Sequence, residues 1–189
     1  MSTAILSVHN KTGLVDFAKG LRALGWTLLA SGGTAKLLRE NEIEVIEVAD
    51  YTQSPEILGG RVKTLHPAIH GGLLARPTEA DRNELLAHHW DYIDLVAVNL
   101  YPFEETIAKA NVSYEEIIEN IDIGGVTLIR AAAKNHVRVT LVCDPQDYAE
   151  VLSSLQHGEI SFEMKKKLAV IGFNSTARYD TIIAETLNA

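Results

Sequence analysis

Short apolar runs alternate with amphipathic helical patterns along the first 145 residues, and this alternation constrains the fold more than any other feature. Strands that alternate with helices predict a parallel sheet with helices on both faces, because each helix must carry the chain back across the sheet. The predicted strands are residues 4–8, 26–30, 43–48, 95–100 and 137–142, and the predicted helices are residues 14–24, 34–41, 81–89 and 124–134.

The strand pattern stops beyond Pro145, and two further helices are predicted at residues 148–155 and 162–187. A length of 189 residues lies within the size range of one domain. We therefore expect a single domain over residues 1–189, with an α/β core at 1–145 and a helical C-terminal extension at 146–189.

The composition argues against several classes of protein. A formal net charge of −8 disfavours nucleic acid as the main partner, because nucleic-acid-binding domains present an excess of Lys and Arg. No run of 18 apolar residues is present, so no interaction with a membrane is expected. The first residues lack the basic segment of a secretory signal, and the single cysteine, Cys143, has no partner for an intramolecular disulfide. These features predict a cytoplasmic protein.

The charge is unevenly distributed along the chain. Residues 17–39, 57–78 and 123–143 contain no Asp or Glu, although each stretch carries Lys or Arg and includes glycine. Such stretches in an acidic protein are suited to holding a small anion. Chance clustering of the acidic residues is the alternative that charge alone leaves open.

Ser31, Gly32, Gly33 and Thr34 join a predicted strand to a predicted helix. The glycines allow close approach of the backbone, and the helix N-terminus offers unpaired N–H groups and the positive end of its dipole. The hydroxyls of Ser31 and Thr34 add donors, so the segment predicts a phosphate cradle. A tight turn with a Ser or Thr N-cap is the structural alternative.

Arg61 and Lys63 lie in the densest group of candidate site residues, the segment 59–72. In an extended chain these two cations would point to the same side while Val62 points back. That geometry is suited to an anion or to a developing oxyanion.

His66 and His70 have the i, i+4 spacing of a metal-binding pair. Pro67 is expected to open a helix that Gly71 and the next glycine end at once. No third ligand is evident nearby in the sequence, so no metal site is expected.

Two polar loops follow predicted strands, where ligands bind in parallel sheets. The loop 7–13 offers Lys11 as a ligand contact, although it also fits a polar loop in which Asn10 or Thr12 caps a helix. The turn after the strand at 95–100 carries Asn99 and Tyr101, for which packing is the alternative role.

Asp122 and Lys134 lie at opposite ends of the predicted helix 124–134. That helix is about three turns long, so one active site that used both residues would draw on two surfaces. Taken alone, Asp122 also fits an N-cap, and Lys134 also fits a cation that complements the helix C-terminus.

Five blocks together resemble IMP cyclohydrolase, the cyclohydrolase half of the bifunctional AICAR transformylase/IMP cyclohydrolase family. The resemblance covers nearly all of the chain, implies a methylglyoxal-synthase-like fold, and includes no residues of the transformylase half. One difference is that the first block more often reads SVSDKTG, so Asn10 replaces an acid and lacks its charge. The matching blocks are SVHNKTGL, ASGGTAKLL, GGRVKTLHPAIHGGLLAR, VAVNLYPF and ENIDIGGVTLIRAAAKNH.

The resemblance also implies roles for individual residues. Lys134 is expected to transfer a proton, with Lys63 and Tyr101 close to the chemistry, while Asp122 is suited to accepting a proton from the attacking amide. The nucleotide contacts are expected at His9, Asn10, Lys11, Ser31, Gly32, Gly33, Thr34, Arg61, Val62, Lys63, Thr64, Val98, Asn99, Asp122 and Ile123.

The reaction that the resemblance implies is the ring closure of 5-formamidoimidazole-4-carboxamide ribotide (formyl-AICAR) to inosine monophosphate (IMP), with loss of water. The attack is intramolecular and needs orientation and oxyanion stabilisation rather than a cofactor, so no cofactor is expected. The resemblance also implies a homodimer. A methylglyoxal-synthase-type lyase and a non-catalytic nucleotide-sensing domain are the alternatives with the same fold.

Overall fold

Five parallel strands form one sheet, in the order β3-β2-β1-β4-β5, in a computed structural model that describes residues 2–188. The predicted parallel sheet is therefore confirmed. The strands are β1 (Thr3–Val8), β2 (Thr27–Ala30), β3 (Ile46–Glu47), β4 (Leu95–Asn99) and β5 (Thr140–Val142).

Helices cover both faces of the sheet, as the sequence pattern predicts. On one face, α1, α2 and α9 pack on Leu6, Leu28 and Ala97, and on the other face α3, α4 and α8 pack on Ile5, Leu29 and Val96. The helices are α1 (Leu14–Ala23), α2 (Gly32–Glu40), α3 (Val48–Thr52), α4 (Pro67–Leu74), α5 (Glu79–Ala87), α6 (Phe103–Ile107), α7 (Tyr114–Glu119), α8 (Gly124–Lys134), α9 (Tyr148–Gln156) and α10 (Phe162–Leu187).

The third strand is shorter than its sequence pattern predicts. Only Ile46 and Glu47 pair with β2, and Val48 already begins a helix. The strand lies at the edge of the sheet, where Ile46 is 40% exposed. Its apolar pattern over residues 43–48 reflects packing of Ile43 and Val48 against opposite faces of the sheet rather than continuous pairing.

Helix α4 continues through Gly71 and Gly72, so the expected end of the helix at these glycines is wrong. The reason is tertiary packing. A Cβ atom at Gly72 would lie 2.6 Å from the Asp91 carbonyl oxygen and 3.1 Å from the Ile93 side chain. Glycine is needed here for close approach rather than to terminate a helix.

The order of the strands reverses between β1 and β4. From β1 the chain winds through β2 to β3 on one side, and then returns to β4 and β5 on the other. In open parallel sheets a ligand crevice forms outside the carboxyl ends of the strands at such a reversal. The loops after Val8 and Asn99 leave the sheet at this point.

The helical extension packs closely against the sheet. A Cβ atom at Gly172 of α10 would overlap the side chain of Leu141 in β5 and would lie 3.1 Å from the Ile129 side chain of α8. The small residue thus lets α10 approach both elements. Within residues 2–188, no helix combines the length and the apolar character that crossing a membrane requires.

Candidate active site

A cavity of about 640 Å³ opens at the carboxyl edge of the sheet, beside the reversal between β1 and β4. Five separate segments form its walls. They include all but four of the predicted site residues, and those in the lining are His9, Lys11, Ser31, Gly32, Gly33, Thr34, Arg61, Lys63, Thr64, Asn99, Tyr101, Asp122 and Ile123.

The N-terminus of α2 forms a cationic concavity on one wall. A Cβ atom at Gly33 would lie 3.7 Å from Lys11 Nζ, and one at Gly32 would lie 3.1 Å from Lys63 Nζ. Gly32 also has φ +54°, which a residue with a side chain rarely adopts. Two ammonium groups and the first N–H groups of a helix therefore converge where glycine leaves room for an anion.

Ser31 and Thr34 differ in the availability of their hydroxyls. Ser31 precedes α2 in extended conformation and makes no side-chain capping hydrogen bond. The buried Thr34 hydroxyl donates to the Val8 carbonyl at 3.2 Å and accepts from the Val8 N–H at 3.3 Å. The Thr34 hydroxyl therefore donates to Val8 of β1 rather than to a ligand. Ser31 lines the cavity, and its hydroxyl makes no capping bond.

Residues 61–64 form turns rather than the expected extended chain, so that expectation is wrong. The Leu65 N–H donates to the Val62 carbonyl at 2.9 Å, which turns Arg61 and Lys63 toward different acids. Lys63 Nζ lies 3.6 Å from Glu56 Oε1, and Arg61 makes a two-pronged ion pair with Glu119.

The Arg61–Glu119 pair links two segments of the cavity wall. It joins the turn before α4 to the end of α7, and both residues line the cavity. Hydrogen bonding to Glu119 raises the pKa of Arg61, and the guanidinium in turn lowers the pKa of Glu119. A substrate anion that reached Arg61 would compete with this carboxylate.

Asn99 fixes the loop that carries His9 and Lys11. Its Oδ1 accepts the His9 N–H at 2.7 Å and the Asn10 N–H at 2.8 Å. The His9 ring lies against the Tyr101 ring with centroids 4.8 Å apart, and Tyr101 is 54% exposed. The loops after β1 and β4 thus form one wall of the cavity.

Asp122 contributes a half-buried carboxylate to the wall of the cavity. Its Oδ1 accepts the Gly125 N–H at 2.7 Å, and a Cβ atom at Gly125 would lie 2.6 Å from Asp122 Oδ2. Burial raises the pKa of Asp122, and hydrogen bonds from the backbone of Gly125 and Tyr101 oppose the rise. A carboxylate whose pKa is raised accepts a proton more readily than one in solvent.

A second helix N-terminus also reaches the cavity. Helix α8 begins at Gly124, where a Cβ atom would lie 2.9 Å from the hydroxyl oxygen of buried Thr64. Ile123, 55% exposed, precedes it in the lining. The N–H groups here are suited to stabilising a developing negative charge.

Four predicted site residues lie outside the lining of this cavity. Val98 is buried in the core, Val62 lines a small neighbouring cleft of about 50 Å³, and Asn10 faces an adjoining groove of about 710 Å³. Lys134 is exposed at the last residue of α8, about 15 Å along the helix axis from its start.

One histidine of the i, i+4 pair, His66, has a structural role. His66 Nδ1 accepts the Ala68 N–H at 3.1 Å and so caps α4. His70 is half-buried, and desolvation lowers the pKa of its imidazole. In the described part of the chain, residues 2–188, no group of three or more His, Cys, Asp or Glu side chains is arranged to hold a metal ion.

Sequence reasoning did not identify Glu119 or Tyr179. Glu119 lies in an acidic stretch that matches no functional motif. Its carboxylate matters because it pairs with Arg61 in the cavity wall, which the sequence alone does not reveal. Tyr179 lies in α10, far along the chain, and its hydroxyl accepts the Asp122 N–H at 2.8 Å. An isolated tyrosine within a helical pattern carries no mark of such a contact.

Comparisons with protein families match the chain in two parts. Residues 13–127 match the MGS-like domain, and residues 132–189 match the AICARFT/IMPCHase bienzyme family. The first match contains the cavity segments from Ser31 to Gly125, and the second contains α9, α10 and Tyr179.

Similar proteins include the bifunctional purine biosynthesis protein PurH of Persephonella marina, which is 53% identical over 187 residues. The PurH proteins of Desulfitobacterium hafniense and Anoxybacillus flavithermus are each 55% identical, over 187 and 186 residues. These matches cover 97% to 98% of the chain but 36% of each relative, so the chain spans about a third of their length.

A solved structure described as the crystal structure of ForH is 37% identical, with a TM-score of 0.89 over 97% of both chains. Its similarity extends over both the sheet and the helical extension. The chain therefore belongs to the MGS-like domain family, and beyond residue 127 its similarity is to the AICARFT/IMPCHase bienzymes.

Proposed function

We propose that this chain is an IMP cyclohydrolase, which closes the ring of formyl-AICAR to give IMP and water. The observation that carries the proposal is that one cavity holds both an anion cradle at α2 and a half-buried carboxylate, Asp122, with a raised pKa. The match to the AICARFT/IMPCHase family supports it, as do relatives named for bifunctional purine biosynthesis.

The 5′-phosphate is assigned to the cradle. The N–H groups of Gly32 and Gly33, the Ser31 hydroxyl and the Lys11 ammonium supply donors and positive charge around one point. With the phosphate held there, the imidazole extends across the cavity toward Asp122. Fixing both ends of the substrate favours the rotamer in which the carboxamide nitrogen meets the formyl carbon.

Ring closure begins when the carboxamide nitrogen attacks the formyl carbon. A C–N bond forms, the formyl C=O becomes an alkoxide, and the nitrogen loses a proton to Asp122. Lys63, Tyr101 and the N–H groups at the start of α8 are assigned to the developing oxyanion. The proton that Asp122 accepted passes to the alkoxide, which becomes a hydroxyl. The C–O bond then breaks as the formamido nitrogen loses its proton to solvent and the C=N bond of the new ring forms. A general acid supplies the proton with which the hydroxyl leaves as water.

Lys134 is proposed as that general acid. It lies at the end of α8 remote from Asp122, so this role requires a second copy of the chain that brings its Lys134 to the cavity. A homodimer is therefore part of the proposal. Light scattering on the protein with IMP bound tests it, and a monomer mass at micromolar concentration would exclude a shared site.

A cytoplasmic location is also part of the proposal. The single cysteine, Cys143, is unpaired, and burial raises the pKa of its thiol to about 12. A free thiol is compatible with a reducing compartment, because the protein needs no disulfide bond that only an oxidising compartment would form. The expected partners are the nucleotide substrate and product.

The direct test is the ultraviolet absorbance of the purine product. Mixing the protein with formyl-AICAR should give the IMP spectrum, and an Asp122→Asn variant should give it at least about 10²-fold more slowly. The same substrate without its phosphate is the matched control for the cradle. If the wild-type protein leaves the spectrum of formyl-AICAR unchanged, as a lyase or a nucleotide sensor would, the proposed function is wrong.

A further inference from the structure

Tyr179 of α10 binds the chain segment that carries Asp122. Its hydroxyl accepts the Asp122 N–H at 2.8 Å and lies 3.4 Å from the Asn120 carbonyl, to which it donates. Tyr179 is buried, at 7% exposed. One hydroxyl thus closes hydrogen bonds to two backbone groups on either side of residue 121.

The ring of Tyr179 supports the adjoining wall of the cavity as well. It packs edge-on against Phe103, with centroids 6.0 Å apart, and Phe103 is 2% exposed. Phe103 begins α6 two residues after Tyr101, whose backbone hydrogen-bonds to the Asp122 carboxylate. Tyr179 therefore contacts both segments that set the position of this carboxylate.

The hydrogen bond from Asp122 to Tyr179 is important because the segment around Asp122 lacks regular secondary structure. The segment 120–123 has neither a strand nor a helix to fix its backbone. The Asp122 N–H donates to Tyr179 of α10, which does not line the cavity, while its carboxylate accepts from Gly125 at the start of α8. Without an acceptor behind it, this backbone would be free to turn, and the carboxylate would turn with it.

We propose that Tyr179 is a positioning residue for ring closure, which holds Asp122 and the start of α8 in the orientation that the reaction needs. The inference rests on the proposed function. It assigns to α10 a role in the active site rather than in the fold alone. Tyr179 lies in the stretch that matches the AICARFT/IMPCHase bienzymes and outside the MGS-like match, as expected of a residue that serves this chemistry.

Tyr148 provides a matched control. It is also a buried tyrosine on a C-terminal helix, at 5% exposed, but it stacks on Phe17 in the core with centroids 4.2 Å apart. It does not line the cavity. A Phe substitution at either position removes one hydroxyl and keeps the ring, so both variants test the hydroxyl without opening a hole in the core.

The experiment compares Tyr179→Phe with Tyr148→Phe and the wild-type protein. We expect Tyr179→Phe to lower kcat about tenfold or more while KM for formyl-AICAR changes less than about twofold, because the cradle is untouched. Amide hydrogen exchange across residues 120–123 should quicken by about tenfold in Tyr179→Phe alone, since the part-buried Asp122 N–H has lost its acceptor.

Two outcomes would overturn the inference. The first is a kcat for Tyr179→Phe equal to that of Tyr148→Phe, whatever the exchange shows. The second is unchanged exchange across residues 120–123, which would mean that the hydroxyl does not hold this segment. Failure of the proposed function is recognised separately, because the wild-type protein would then form no IMP.

Discussion

The side-chain amide of Asn99 holds the backbone of Asn10 from both sides. Its Oδ1 accepts the Asn10 N–H at 2.8 Å, and its Nδ2 donates to the Asn10 carbonyl at 3.1 Å. The two residues are 89 positions apart; Asn99 ends β4, and Asn10 lies in the loop after the neighbouring β1. Through this contact the end of β4 sets the position of the loop that carries Lys11 toward the α2 cradle.

Asn99→Ala should therefore weaken nucleotide binding indirectly, because Asn99 holds the loop that carries Lys11 and need not itself contact the phosphate. The variant leaves three backbone groups of residues 9 and 10 without their partner, so the loop loosens and Lys11 is no longer held at the cradle. We expect KM for formyl-AICAR to rise by about tenfold. Steady-state kinetics measure this, and an unchanged KM would show that the loop keeps its position without Asn99.

Ser31→Ala tests the phosphate cradle itself. The Ser31 hydroxyl caps no helix, so its removal should cost little stability but should remove one donor to the phosphate. Because substrate and transition state share that contact, KM should rise severalfold with kcat nearly unchanged. A loss confined to kcat would contradict the assignment.

Thr34→Val is the contrasting variant for the same segment. Its hydroxyl bonds to the backbone of Val8 in the core, so we expect a loss of about 1–3 kcal/mol in the free energy of unfolding. Urea unfolding measures the loss. Equal stabilities of Ser31→Ala and Thr34→Val would contradict the separate roles given to these two hydroxyls.

The pH dependence of ring closure should report on Asp122. Its pKa is raised by burial above the ordinary value of 3.8, and the group must be ionised to accept a proton. Activity should therefore fall as pH falls through this raised pKa, with a midpoint above 3.8. The other titratable side chains that line the same cavity are His9, Lys11, Arg61, Lys63, Tyr101 and Glu119.

The raised pKa of Asp122 also affects the stability of the fold. As pH falls through this pKa, stability should rise whereas activity should fall. Because the folded pKa lies above the unfolded one, ionised Asp122 destabilises the fold at pH values above that pKa, and protonation removes the penalty as pH falls. Asp122→Asn should thus be at least as stable as the wild type at neutral pH, although it is nearly inactive. Chemical unfolding at pH 7 checks this, and a large loss of stability would contradict it.

Lys134→Arg keeps the positive charge but replaces a compact ammonium by a guanidinium that does not release a proton. We expect kcat to fall by about 10²-fold, the usual scale for a general acid. Affinity for IMP should change much less, because the role is confined to the transition state. Near wild-type turnover would leave Lys134 as a cation that complements the C-terminus of α8.

Gly172→Ala tests the packing of α10. Alanine is the better helix former by about 1 kcal/mol, yet its Cβ would overlap Leu141 and crowd Ile129, both of them buried. Overpacking should win, with a net loss of about 1–3 kcal/mol in unfolding free energy. Asn174→Ala, an exposed change in the same helix, should be neutral or slightly stabilising.

The sequence predicted α8 and α10 with the bounds that the structure has, because their apolar periodicity is long and is flanked by clear start signals. It also placed glycines and cations after strands that share one edge of the sheet, and most of these residues line one cavity in the structure. It missed α3, α6 and α7, which have five, five and six residues and are too short to show a helical period.

Other features depend on which residues meet in space, which a single sequence does not record. The two glycines of α4 resemble the end of a helix in the sequence, whereas in the structure Gly72 is needed because the Asp91 carbonyl packs closely against it. The Thr34 hydroxyl looks like a ligand donor until Val8 is found to use it. Glu119 and Tyr179 become visible as site residues only when their partners Arg61 and Asp122 are in place.

The distance in sequence between Asp122 and Tyr179, 57 residues, also bears on how sequence changes reach the site. The loop beside the cradle is held by Asn99 at the end of β4, whereas the backbone of Asp122 has its acceptor in α10. A substitution in α10 can therefore shift the Asp122 segment while it leaves the cradle intact. The two parts of the cavity can vary separately in sequence.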